Sequence, residues 1–152
     1  MSNNLAKFFA SFFYAGFLPL APGTFASFLG LCLYELFYRD MATYTLVFIV
    51  ICILGFLTSG IAERAAGKKD PSFVVIDEVA GAMIAFFMLP LTPSVLITAF
   101  FIFRAFDMFK IYPANRFEAF KGGAGIMMDD VMAGVYTNLI MRAALQGKDI
   151  FF

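Results

Sequence analysis

The chain is written in long apolar blocks, broken by prolines, glycines and small clusters of charge. The first block, LAKFFASFFYAGFL over residues 5–18, runs about 14 residues, too short to span a bilayer. Lys7 precedes its apolar run in the manner of a signal peptide. However, it continues into PLAPGT, a structural turn and not a small-residue cleavage site, so an interfacial or re-entrant helix is expected. Thr24–Tyr38 is apolar but short. Met41–Ala62 reaches the roughly 20 residues a spanning helix needs. Val74–Leu89 carries Asp77 and Glu78 near its start, Pro93–Phe109 carries Arg104 and Asp107 near its end, and Met127–Leu145 begins with Asp129 and Asp130. Pro22, Pro71, Pro90, Pro93 and Pro113 fall at the block boundaries, where proline ends helices. No linker divides the chain. The expected architecture is a single all-α domain over residues 1–152. It is a polytopic membrane bundle of about four to five spanning helices plus the short N-terminal segment.

Composition agrees with that reading. Of 152 residues, 62% are hydrophobic and only 14% charged, with a mean hydropathy of +0.86. Soluble domains are nearer about 45–50% apolar and about 25% charged. Lys+Arg and Asp+Glu both number 11, and no basic run appears, so nothing points to nucleic acid. Cys32 and Cys52 lie in apolar stretches and read as buried thiols rather than a disulfide. Histidine is absent, which removes serine–histidine hydrolases, phosphohistidine chemistry and histidine-ligated zinc.

Loop charge sets an orientation. Arg64, Lys68 and Lys69 lie in one connection and Lys110, Arg116 and Lys121 in another, whereas the LPLTP turn at 89–93 carries none. Basic loops stay on the cytoplasmic side. That topology puts Pro22–Thr24, Asp77–Glu78, Arg104/Asp107 and Asp129–Asp130 at one face, with Arg142 and Lys148 at the other as the contrary signal. Ionisable residues in spanning segments cost at least about 2.5 kcal/mol each on insertion scales, so several at one depth suggest a site.

Four constellations carry the chemistry. IDEVAGAM (76–83) and MDDVMAGV (128–135) each place two adjacent carboxylates before small residues, at what reads as a helix N-terminus favourable to anions. Helix capping explains one such pair; two pairs would repel unless a divalent cation joined them. Oxygen donors without histidine suit a hard ion, so Mg²⁺ is expected. Adjacent helical residues point about 100° apart, so one acid of a pair can hold the ion while its neighbour acts beside it. In RAFDMFK (104–110), Arg104, Asp107 and Lys110 follow i,i+3 spacing. A salt-bridge ladder is the plain explanation. Asp107 near a helix C-terminus nevertheless needs compensation, and Arg104 and Lys110 are candidates to hold a phosphate. In PLAPGTFAS (19–27), Pro22-Gly23 reads as a turn and Thr24 as the N-cap of a helix whose N–H groups can bind phosphate oxygens. KGGAGIM (121–127) reads as a flexible loop, or as a close backbone approach to a headgroup.

In PLAPGTFAS, VVIDEVAGA, FRAFDMFKIYP and GGAGIMMDDVMAGVY the sequence resembles the bacterial phosphatidylglycerophosphatase A family, in the family's order and over roughly residues 17–140. The resemblance implies a small Mg²⁺-dependent enzyme of the bacterial inner membrane. It would hydrolyse phosphatidylglycerophosphate to phosphatidylglycerol and inorganic phosphate, with its site facing the cytoplasm. It further implies that Asp77, Glu78, Asp107, Asp129 and Asp130 build the metal site, with Asp77, Glu78, Asp129 and Asp130 catalytic. Gly23, Thr24, Arg104 and Lys110 match the polar positions nearby. Ile111 departs from the family pattern, in which proline follows the lysine.

Other phosphatase designs are disfavoured. Cys32 and Arg39 are separated by six residues rather than five, and no DxDxT motif occurs. Phosphoryl transfer at a metal site then relies on positioning and charge neutralisation, by activated water or through an aspartyl-phosphate. A divalent-cation transporter is the rival from another class, though its acids would belong at the bilayer midplane. A CDP-alcohol phosphotransferase is a further rival whose D-G-x-x-A-R…G-x-x-x-D-x-x-x-D signature is missing.

Overall fold

The computed structural model describes residues 2–109 and 122–151. Among these residues the chain forms six α-helices, one 3₁₀ turn and no strand: α1 (Asn3–Ala10), the turn Ala15–Phe17, α2 (Pro22–Phe37), α3 (Met41–Ala66), α4 (Ile76–Phe86), α5 (Pro93–Phe109) and α6 (Gly123–Phe151). The all-helical expectation holds. The number of spans is a separate matter, because among the described residues only α3 is both long and apolar enough by itself to cross a bilayer. Its 26 residues rise about 39 Å, whereas the 11 of α4 rise about 17 Å.

The N-terminal block is not one helix. Ser2 caps α1, which stops after eight residues at Ser11. Phe12, Phe13 and Tyr14 then turn the chain through three successive left-handed conformations into the 3₁₀ turn. Such backbone is unfavourable for residues with a Cβ, so surrounding contacts must hold it. Two do: Val75 N–H donates to the Ala10 carbonyl at 3.0 Å, and Gly16 lies flush against the Phe73 carbonyl, with no room for a Cβ. The segment folds back on the connection before α4.

α4 is the innermost helix. Ile76, Val79, Ala80, Ala82, Met83, Ala85 and Phe86 are all buried, and α2, α3, α5 and α6 surround them. Small residues make this possible, as they do where helices approach closely in lipid. A Cβ on Gly81 would fall 2.6 Å from the Asp130 carbonyl, and one on Gly134 would strike the Gly81 carbonyl. α4 and α6 therefore meet backbone to backbone.

The far end of α4 is closed by polar side chains. Asn138 Nδ2 donates to the carbonyls of Ala85 and Phe87 at 3.1 and 2.8 Å. Arg142 donates through Nη2 to the Phe87 carbonyl at 3.1 Å and through Nε to Asn138 Oδ1 at 2.7 Å. A cation at a helix C-terminus satisfies its free carbonyls and its dipole. Arg142, the contrary signal in the orientation argument, thus has a structural task. Tyr44 adds a hydrogen bond to the Met83 carbonyl at 2.6 Å, and Tyr34 bonds the Leu89 carbonyl. On the connection before α3, Asp40 is the N-cap. The Thr43 hydroxyl and amide donate to it and hold its carboxyl below its usual range.

Two boundaries differ from expectation. α2 begins at Pro22, with Ala21 as N-cap in the left-handed region, so Pro22-Gly23 belongs to the first helical turn and Thr24 is not the cap. Proline suits a first turn because its missing N–H would have no helical acceptor. α6 begins at Gly123, earlier than Met127. Asp129 and Asp130 consequently sit in its second turn and not at its start, and the dipole argument applies to Asp77 and Glu78 alone. Gly123 and Gly125 are helical too. Their stretch packs on α3, where a Cβ on Gly60 would lie 2.7 Å from the Gly123 nitrogen, so this close approach is made to a helix.

Candidate functional site

The helix termini that carry the polar motifs meet at the end of the bundle opposite Arg142. α4 presents Asp77 and Glu78 in its first turn, and α6 presents Asp130. α5 brings Arg104 and Asp107 in its last two turns, and α2 lays Gly23 over the group. One carboxylate oxygen from each of Asp77, Glu78 and Asp130 falls within 4.8 Å of the others. Asp77 and Asp130 are only 7% and 3% exposed.

This arrangement is electrostatically incomplete by itself. Carboxylates at such range repel when ionised and favour a shared cation or proton. Asp77 also contacts Glu78, and Asp130 contacts Asp107, side chain to side chain. Among the described residues Arg104 is the cation within reach, and its Nη1 pairs with Asp107 Oδ2. That pairing supplies the compensation an anion near a helix C-terminus requires. Asp77 Oδ1, Glu78 Oε2 and Arg104 Nε are buried without a hydrogen-bond partner. Buried polar atoms are ordinarily satisfied, so two orphaned carboxylate oxygens and an orphaned guanidinium N–H in one place call for a ligand. The two oxygens fit a hard divalent cation, and the N–H fits an anion.

Gly23 is tied to this group by lack of bulk. A Cβ there would strike Glu78 Oε1 and lie 3.5 Å from Arg104 Nη1. Only a glycine lets the first turn of α2 come so near. Thr24 is exposed on that turn, and the site presents the α2 N-terminus without a capping side chain.

The sequence-derived set is therefore largely gathered. Asp77, Glu78, Asp107, Asp130, Arg104 and Gly23 come together, and Thr24 lies on the adjoining turn. Asp129 does not join the carboxylate group; its Oδ1 accepts from the Asp130 N–H at 3.1 Å. Neighbours on a helix diverge by about 100°, and Asp130 is the one that faces α4. Lys110 lies outside the described residues. Sequence reasoning missed Ser27. This residue is fully buried, and its Oγ is 3.3 Å from Arg104 Nη1. The available signal was its spacing, one helical turn beyond Gly23 on the same face of α2.

The model of the phosphatidylglycerophosphatase A family matches residues 8–145. Among curated proteins, a Bacteroides thetaiotaomicron protein named "Putative phosphatidylinositol-3-phosphatase" is 37% identical over 141 residues, covering 87% of this chain and 88% of its own. Phosphatidylglycerophosphatase A of Haemophilus influenzae is 32% identical, covering 86% of this chain and 83% of its own. Phosphatidylglycerophosphatase A of Escherichia coli K12 is 35% identical, covering 81% and 73%. No solved structure matches the chain. The motifs that build the acidic end all fall inside the matched span, and on that match the chain belongs to the phosphatidylglycerophosphatase A family.

Proposed function

We propose that the chain hydrolyses the phosphomonoester of phosphatidylglycerophosphate, the activity that its family membership carries, using Mg²⁺ bound at the acidic end of the bundle. The observation that carries this reading is the set of orphaned atoms, Asp77 Oδ1 and Glu78 Oε2 beside Asp130, with Arg104 Nε next to them. Asp77, Glu78 and Asp130 would hold the ion with Asp107 beside them, and Asp129 accepts the Asp130 N–H and orients that residue. When bound, Mg²⁺ neutralises the carboxylates and draws charge from the phosphoryl oxygens.

The chain's own groups do the rest. Arg104 grips the phosphate through its free edge. The N–H groups of Gly23 and Thr24, in a first helical turn, take further oxygens, and Lys110 adds charge. Water attacks phosphorus as the bond to the glycerol oxygen breaks. A carboxylate of the set accepts one water proton and passes it to the departing glycerol oxygen, while the second water hydrogen stays on the released phosphate.

The same proposal sets the enzyme in the bacterial inner membrane as a bundle of four to five spans, with the acidic end facing the cytoplasm. Leu36, Ile49, Ile53, Leu57, Ile97, Phe101 and Leu139 are exposed on four different helices, an apolar girdle that suits lipid and not water. The basic connections support the orientation.

The test is phosphate release from phosphatidylglycerophosphate by purified protein with and without EDTA, in ¹⁸O-water. Release that EDTA stops and Mg²⁺ restores, with label in phosphate and none in an Asp side chain after one turnover, supports the whole reading. Undiminished release in EDTA removes the metal, and labelled Asp replaces direct attack by an aspartyl-phosphate. Phosphatidylinositol 3-phosphate run in parallel measures headgroup selection.

A further inference from the structure

Resting on that reading, we propose that Ser27 is a positioning residue that dictates which edge of the Arg104 guanidinium meets the phosphate. Ser27 Oγ donates its one proton to the Gly23 carbonyl at 2.8 Å. Its oxygen is therefore purely an acceptor toward Arg104, whose Nη1 lies 3.3 Å away. Nη1 carries two N–H groups. Ser27 takes one and Asp107 Oδ2 takes the other, so that nitrogen has none left for substrate. Nε is the atom left buried and unpartnered. The clamp on Nη1 thus turns the Nε edge into the site.

Serines in apolar helices commonly bond the carbonyl four residues back, and that bond alone would make Ser27 a packing detail. The contact across to α5 distinguishes this one. The same hydroxyl ties the turn that carries Gly23, itself pressed on Glu78, to the guanidinium. With the acceptor removed, Nη1 regains a free N–H that competes with Nε for the phosphate. The guanidinium is then no longer held with its Nε edge toward the site.

The experiment is a double-mutant cycle read by steady-state kinetics on phosphatidylglycerophosphate in detergent micelles. Ser27→Ala is expected to raise KM about tenfold, the scale of one hydrogen bond to a charged group, with kcat changed less than about threefold. On an Arg104→Ala background the same substitution should add less than about twofold, because its effect passes through the guanidinium. Ser27→Cys, nearly isosteric but a weak acceptor, should match Ser27→Ala and serves if the alanine protein fails to fold. Ser27→Thr, which keeps the hydroxyl, should restore KM. Independent losses in the cycle, or a wild-type KM in both Ser27→Ala and Ser27→Cys, overturn the role of Ser27. An unchanged KM in Arg104→Ala, or no phosphate release by the wild-type protein, instead overturns the phosphatase reading beneath it.

Discussion

Carboxylate oxygens of Asp77 and Asp130 lie within 4.8 Å of one another, although all of α5 separates their helices in the chain. The approach is set by Gly81 and Gly134, which bring the backbones of α4 and α6 into contact one turn from those acids. Site and scaffold are thus the same contact.

Removing either charge should therefore disable the enzyme without unfolding it. Asp77→Asn and Asp130→Asn are each expected to lower kcat by about 10³-fold or more, as loss of a group stabilising transition-state charge does. Both proteins should remain membrane-inserted and monodisperse in detergent. Asp129→Asn should cost less than Asp130→Asn, because Asp129 lies outside the carboxylate group. An order of activities with Asp129→Asn lowest would contradict this geometry.

The acids should also oppose folding when no cation is present. Glu78→Gln removes one of three neighbouring charges and should raise the melting temperature in EDTA. Added Mg²⁺ should stabilise the wild-type protein by several degrees and the variant by less, since only a ligand that binds the native state shifts the equilibrium. Thermal unfolding followed by intrinsic fluorescence or circular dichroism reads both. Equal Mg²⁺ shifts in the two proteins would place the ion elsewhere.

Gly134→Ala tests the scaffold. The added Cβ would strike the Gly81 carbonyl, so α4 and α6 must separate. A destabilisation of about 1–3 kcal/mol is expected, typical of overpacking. Activity should fall further than stability explains, because the separation moves Asp77 and Glu78 away from Asp130. Gly147→Ala, whose Cβ would meet nothing within 4 Å, is the control and should leave activity unchanged and stability unchanged or slightly raised, as alanine favours a helix.

Topology can be read chemically. In a background with Cys32 and Cys52 replaced by alanine, Thr92→Cys should react with an impermeant maleimide on intact spheroplasts. Lys68→Cys should react only after permeabilisation. Both positions are exposed, so burial does not confound the result. Labelling of Lys68→Cys in intact cells would invert the bundle.

The amino-acid pattern alone determined what depends on local chemistry. Block lengths and prolines located α2 to α5 to within a few residues, though not the ends of α1 and α6, and the scarcity of charge made each acid conspicuous. Motif order identified the family. The pattern did not reveal the turn at Phe12–Tyr14, because three left-handed residues in a row follow from tertiary contacts and not from local preference. It placed Thr24 as the α2 cap, where the left-handed Ala21 takes that position. Nor could it say which acid of the Asp129–Asp130 pair faces α4, since a shift of one residue rotates a side chain by about 100° and only packing against Gly81 sets the rotation. Ser27 was invisible for the same reason. Its partner Arg104 lies on another helix, and which polar side chains share a buried pocket is decided by how close the small residues let the helices come.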